Sequence, residues 1–239
     1  MASSYKRILL KVSGEALAGD NSFGIEPPFL QAVAKQIADL ARSGTQVAIV
    51  VGGGNIFRGM AGAADGTDRV TADLMGMLGT MINALALSNA ITRQGVKSKP
   101  FSAATMPSVA DTFTARDAKQ ALEEGFVVVL GGGTGNPFFT TDTAATLRAI
   151  ELECDVVLKG TKVDGVYSDD PKKNPDAVRY SQIGYDEVSA RNLKVMDTAA
   201  FALARDSHMP IIVYALDEPA GLSGVLEGKG MSTRVGDPA

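Results

Sequence analysis

A lysine in a hydrophobic strand needs a reason, and Lys11 sits within Arg7-Ile8-Leu9-Leu10-Lys11-Val12, directly before Ser13-Gly14. Aiming an ammonium into a core is costly unless it meets an anion. The adjacent turn makes phosphate the natural anion and Lys11 the first candidate for a catalytic cation. The alternative is an edge lysine whose stem follows apolar surface while its charge reaches water. A second cation, Arg58, follows the turn in Gly52-Gly53-Gly54-Asn55-Ile56-Phe57-Arg58-Gly59. Its planar fork suits phosphate oxygens; its plainer alternative is a solvated surface arginine. The third feature is Phe126–Asp142, FVVVLGGGTGNPFFTTD. Its apolar start reads as a strand buried on both faces, and Gly131, Gly132, Gly133 and Gly135 let backbone N–H groups approach an anion. Thr140, Thr141 and Asp142 can cap a helix whose start carries free N–H groups and partial positive charge. Strand, glycine turn and helix start together form an oxyanion cradle, which points to nucleotide phosphate chemistry.

These turns meet only if their strands lie side by side. Strand candidates recur between helical segments at Arg7–Val12, Gln46–Val51, Lys97–Ser102, Phe126–Leu130, Val156–Lys159 and Ile211–Ala215, with Met231–Val235 a short edge strand. Pro27-Pro28 opens a helix with Leu30, Val33, Ile37 and Leu40 on one face and Gly44 as its stop. Further helices are expected at Asp73–Arg93, Arg116–Glu124, Asp142–Leu152, Tyr185–Asn192 and Thr198–Asp206. The alternation predicts an α/β fold with a mainly parallel open sheet sandwiched between helices. Ligands of such sheets bind at the carboxyl ends of the strands, where Ser13-Gly14, Gly52–Gly54 and Gly131–Gly135 fall. At 239 residues the chain suits one domain, residues 1–239, near the upper limit for a single core.

Composition removes several classes. With 23 basic and 27 acidic residues and a formal net charge of −4, nucleic acid is not expected as the main partner. One cysteine, Cys154, and one histidine, His208, exclude an internal disulfide and a His/Cys zinc cluster. No Gly-x-x-x-x-Gly-Lys-Ser/Thr occurs, and Asn136 stands where a dinucleotide fingerprint needs its third glycine, so a P-loop kinase and a dehydrogenase are both disfavoured. Leu74–Thr92 is uncharged and long enough to span a bilayer. Thr80, Asn83, Ser88 and Asn89 make it instead a soluble helix, covered by the core or by another subunit, and no membrane partner is expected. The opening residues lead straight into a strand with no secretory apolar segment, so a cytoplasmic protein is expected.

Lys11-Val12-Ser13-Gly14-Glu15-Ala16-Leu17, the Gly52–Gly59 run, Thr134 through Asp142, and Thr161-Lys162-Val163-Asp164-Gly165-Val166-Tyr167 closely resemble the bacterial uridylate (UMP) kinases of the amino acid kinase superfamily. The resemblance covers essentially the whole chain. Its Thr-Gly-Asn-Pro-Phe-Phe-Thr-Thr string is highly specific to those kinases, whereas Val-Asp-Gly-Val is shared with aspartate and carbamate-type relatives. The resemblance implies transfer of the γ-phosphoryl group of MgATP to UMP, giving UDP and ADP in pyrimidine nucleotide biosynthesis. It implies that Lys11, Val12, Ser13, Gly14, Gly54 and Arg58 face ATP phosphates, Lys11 neutralising the transferred group, with Thr161, Tyr167 and Asp170 on the adenosine side. It gives Gly53, Asp73, Thr134, Gly135, Asn136, Pro137, Phe138, Phe139, Thr140 and Thr141 to UMP. In that assignment Asp73 accepts from the ribose hydroxyls and the two phenylalanines wall the site. Asp142 resembles the superfamily's organising aspartate, which orients the catalytic lysine without taking a proton and is compatible with a helix cap. Asp197 also matches the family pattern, as a functional residue or as a cap. The N-terminal part would mainly bind UMP and the C-terminal part ATP. Mg²⁺ would be held mainly by phosphate oxygens and water, with no protein ligand named.

The resemblance also identifies Gly19-Asp20-Asn21-Ser22-Phe23-Gly24 as a loop linked to allosteric activation by GTP, and implies a homo-oligomer, usually a hexamer, with GTP as activator and UTP as inhibitor. The chain departs from the pattern at effector positions aligned with Ser88, Thr92, Lys99, Ala115 and Phe126, of which only Lys99 is basic. Two other functions compete. A sibling kinase acting on a carboxylate or carbamate would lack the Asn136–Phe139 wall, and a non-catalytic nucleotide sensor would have little need of Lys11 together with Asp142.

Overall fold

The structure, a computed structural model, describes residues 5–57, 66–171 and 173–237. Among them run β1 (Arg7–Val12), β2 (Gln46–Val51), β3 (Ser98–Ser102), β4 (Asp111–Thr112), β5 (Val127–Gly131), β6 (Val156–Thr161), β7 (Gln182–Ile183), β8 (Ile211–Ala215) and β9 (Ser232–Val235). They form one sheet in the order β4-β3-β5-β2-β1-β6-β8-β9-β7. Neighbours from β4 through β8 pair in parallel, and β9 turns antiparallel to β8. The helices are α1 (Gly14–Leu17), α2 (Pro27–Arg42), α3 (Arg69–Arg93), α4 (Ala115–Glu123), α5 (Thr141–Glu151), α6 (Tyr185–Ala190), α7 (Thr198–Asp206) and α8 (Gly221–Leu226).

The period-two alternation of the strands makes two cores. Ile8, Leu10, Val12, Ile49 and Val51 face α2, α3 and α8, while Leu9, Val50, Val128 and Leu130 face α4, α5 and α7. Each such aliphatic side chain, once buried, contributes roughly 1.5–3 kcal/mol. Lys11, two residues beyond Leu9, projects on the α5 side. In α2 the expected stripe Leu30, Val33, Ile37 and Leu40 is buried. The chain then leaves through Gly44 at φ +96°, a backbone that a β-carbon would strain.

Most boundaries fall within one or two residues of expectation, and two differences go further. Helix α3 begins at Arg69 rather than Asp73, because Asp68 caps it by accepting the Thr71 N–H at 3.0 Å. Strand β9 is not the sheet edge, since β7 pairs outside it. By length and mean hydropathy of 1.4, α3 could cross a bilayer. In this fold it packs on α2 and on the sheet at β2, β3 and β5.

Candidate active site

Strands β1 and β6 are parallel neighbours, and their register sets Lys11 beside Lys159. Both ammoniums converge on Asp142 in the first turn of α5: Lys11 Nζ lies 3.0 Å from Oδ1 and Lys159 Nζ 2.8 Å from Oδ2. The side chains are 11 %, 17 % and 14 % exposed for Lys11, Lys159 and Asp142 respectively. Lys159 also donates to the Val195 carbonyl at 2.6 Å. Lys11 meets the buried Oδ1 as an ion pair, outside hydrogen-bond angles. Burial pushes the Asp142 carboxyl up, but the charges of Lys11 and Lys159 outweigh it and hold the group below its ordinary value. One carboxylate against two ammoniums leaves a positive charge largely removed from water, beside a helix start of the same sign. Such a charge calls for an anion.

Lys159 is the residue that sequence reasoning missed. Its signal was the one that marked Lys11, a lone ammonium in an apolar strand. Lys159 closes the strand candidate Val156–Lys159, whereas β6 runs on to Thr161 and sets the residue inside the strand.

Around this cluster the glycine turns close up. A β-carbon on Gly14 would stand 2.6 Å from Asn55 Oδ1 and 2.8 Å from the Gly52 carbonyl, and one on Gly53 would stand 2.7 Å from the Gly76 carbonyl in α3. Only glycine permits either approach. The helix start itself is capped by Thr140, whose Oγ1 accepts from the N–H groups of Asp142 and Thr143 at 3.0 and 3.4 Å. Asp197 caps α7 through the Ala200 N–H at 3.0 Å and also accepts from the hydroxyls of Thr143 and Thr140. It is therefore a cap that ties two helix starts together.

Two cavities flank the cluster. One of about 710 Å³ is lined by Gly53, Gly54, Asp73, Thr134, Asn136, Phe139, Thr140 and Thr141, together with Glu15, Arg69 and Thr80. The other, about 540 Å³, opens at Lys159 and is lined by Thr161, Tyr167, Asp170, Val195 and Val213, among others. The structure thus gathers most of the expected UMP residues in one cavity and the expected adenosine residues in the other. Gly54, expected on the ATP side, lies with Gly53 in the first. Val12 ends β1, Ser13 precedes α1 and Gly14 opens it. Gly135, at φ +82°, packs against Ala103, and Pro137 lies beyond it in the same loop.

Phe139 does line the first cavity, but Phe138 does not. A φ of +71° carries Phe138 outward, 65 % exposed, with the Arg69 guanidinium 5.5 Å from its ring centroid. Its backbone N–H instead donates to Asp73 Oδ2 at 2.7 Å, an oxygen that also accepts Arg69 Nε at 2.8 Å. Asp73 thereby joins α3 to the lip of the loop. Arg58 lies outside the described residues. The Gly19–Gly24 loop is tied back through Gly24 N–H to the Asn55 carbonyl at 2.8 Å and through Lys162 Nζ to the Gly19 carbonyl at 3.3 Å.

Residues 6–215 match the model of the amino acid kinase family. A curated uridylate kinase from Roseobacter denitrificans is 52 % identical over 235 residues, covering 98 % of this chain and 97 % of that one. The chain belongs to the amino acid kinase family, among its uridylate kinases. Solved uridylate kinases agree. The UMP kinase of Bacillus anthracis superposes with a TM-score of 0.94 at 39 % identity, covering 98 % of this chain and 97 % of that chain. That of Ureaplasma parvum gives 0.93 at 39 %, covering 97 % and 99 %. The uridylate kinase of Archaeoglobus fulgidus is more distant, at 0.73 and 27 % over 95 % of this chain and 99 % of its own.

Proposed function

We propose that the chain acts as a UMP kinase, moving the γ-phosphoryl group of ATP to UMP and releasing UDP and ADP, within pyrimidine nucleotide biosynthesis. The observation that carries this is the net positive charge that Lys11 and Lys159 keep, among the described residues, after pairing with the one carboxylate of Asp142, beside two nucleotide-sized cavities. UMP occupies the cavity of Asp73 and Phe139, and ATP that of Tyr167 and Asp170. The N-terminal part thus serves UMP and the C-terminal part ATP.

An oxygen of the UMP phosphate attacks the γ-phosphorus; the bond to the β–γ bridging oxygen breaks, and ADP carries that electron pair away. The attacking oxygen is already ionised, so no general base is required. The difficulty is repulsion: two unit charges about 4 Å apart cost ~4 kcal/mol at an effective dielectric of 20, and both reactants are polyanions. Lys11, Lys159 and the turn N–H groups oppose it by position and charge. Asp142, held ionised by its lysines, orients them and takes no proton. With an ammonium on each oxygen, it is not disposed to ligate a metal. Mg²⁺ accompanying ATP would be held by phosphate oxygens and water, supplying further neutralisation.

The outward side of α3 exposes Val70, Leu74, Leu78, Ile82 and Leu85 at helical spacing, which supports a homo-oligomer buried along this helix, up to the expected hexamer. The enzyme would work in the cytoplasm. A coupled ADP-release assay with ATP and UMP, CMP, aspartate or carbamate tests the proposal, repeated with GTP and UTP as effectors. UMP should be the preferred acceptor. Preference for a carboxylate or carbamate, or nucleotide binding without turnover, would contradict it.

Asp73→Ala should cost roughly 1.5–3 kcal/mol in UMP binding, the value of a hydrogen bond to a charged group. It should also blunt discrimination against dUMP. Calorimetric titration of both nucleotides checks this, and equal discrimination before and after would remove Asp73 from the ribose.

A further inference from the structure

Helix α3 is apolar nearly all round, yet it buries three polar side chains, Thr80, Asn83 and Ser88, which would be costly without partners. Ser88 pairs with the Ser98 hydroxyl of β3 at 2.9 Å; the partners of the other two lie in the site's turns. Thr80 Oγ1 donates to the Met77 carbonyl at 2.7 Å and accepts the N–H of Gly132, just past β5, at 2.7 Å. Asn83 Nδ2 donates to the carbonyl of Gly52, just past β2, at 2.7 Å and to Asn55 Oδ1 at 2.6 Å. Asn55 Nδ2 returns a bond to Asn83 Oδ1 at 3.1 Å and reaches the Gly24 carbonyl at 2.7 Å.

Strands β2 and β5 are neighbours in register, and three residues along a helix advance about 4.5 Å on one face. One face of α3 therefore fixes the turn after β2 relative to the turn after β5. In the proposed reaction both turns line the cavity given to UMP, Gly53 and Gly54 from the first and Gly133 and Thr134 from the second, so their spacing sets where the UMP phosphate is presented for transfer. We infer that Thr80 and Asn83 are positioning residues of the phosphoryl transfer, α3 being the strut that sets the spacing of the two glycine turns. Neither acts on substrate through its polar group: the Thr80 hydroxyl is engaged by protein at both its donor and acceptor sides, and Asn83 is fully buried.

The inference rests on the UMP kinase proposal, and the wild-type arm of its test separates the two. Thr80→Val keeps the shape of the side chain and removes only the hydroxyl, leaving the Gly132 N–H unheld. It should lower kcat at least ~10-fold, as expected when reacting groups are displaced by a fraction of an ångström to ~1 Å. KM for UMP should shift less than kcat, melting temperature should fall only by what one unpaired buried N–H costs, and Thr80→Ser should restore both, with kcat within about threefold of wild type. Should Thr80→Val fail to fold, Asn83→Ala carries the same test, the space left admitting water to the Gly52 carbonyl. A folded Thr80→Val, or in its place Asn83→Ala, with kcat within twofold of an active wild type overturns this inference alone. A wild type without UMP-dependent ADP release overturns the kinase proposal and this inference with it.

Discussion

Lys11→Ala is expected to lower kcat about 10²–10³-fold, the scale measured when one charge-stabilising donor is removed from a developing transition state. UMP affinity should change far less, because in the proposed arrangement the nucleoside end lies in the first cavity, which Asp73 lines and Lys11 does not. The fold should tolerate the change. Removing Lys11 leaves Lys159 paired with Asp142 at 2.8 Å, a neutral pair in place of an excess positive charge. Steady-state kinetics alongside thermal melts check both halves. An unchanged kcat in a folded variant would remove Lys11 from the mechanism.

Asp142→Asn acts in the opposite sense. It leaves two lysines, adjacent in register, without the carboxylate that both ion-pair with, and breaking a buried pair typically costs about 3–5 kcal/mol. The melting temperature should fall accordingly and kcat should drop with it, since the ammoniums lose the group that aims them. The dependence on pH follows from the direction of the shift. The Asp142 carboxyl is held below its ordinary value of 3.8 by the two lysines, so its contribution is complete above that value and is lost as pH falls through the depressed pKa. The wild type should therefore lose an increment of stability on acidification that the variant does not. Added inorganic phosphate should raise the variant's melting temperature more than the wild type's, since an anion restores the missing charge. A variant melting like the wild type at neutral pH would show that Asp142 does not hold the cluster.

The sheet was legible because alternation and apolar runs are local: β1, β2 and β8 occupy the residues expected of them. Lys11 was legible because a charge in a buried strand is anomalous alone, whereas Asp142 reads locally as an ordinary helix cap and only the family resemblance gave it an organising role. Lys159 became functional only through the pairing of β1 with β6, which no local pattern prints. Phe138 was misplaced for a similar reason, since its outward turn depends on a positive φ stabilised by Asp73 from another element. Thr80 and Asn83 are, in the sequence alone, only polar interruptions of an apolar helix. Their partners, Gly132 and Gly52, are more than thirty residues away in sequence.

The central claim is that two nucleotides meet head to head at one cation cluster. A crystal structure with UMP and a non-hydrolysable ATP analogue bound together tests it most directly. The UMP phosphate and the terminal phosphate of the analogue should both lie within hydrogen-bonding distance of Lys11 or Lys159, with the uridine toward Asp73 and the adenosine toward Tyr167. Either nucleotide bound away from the cluster, or with its base turned toward Lys11, would contradict the account.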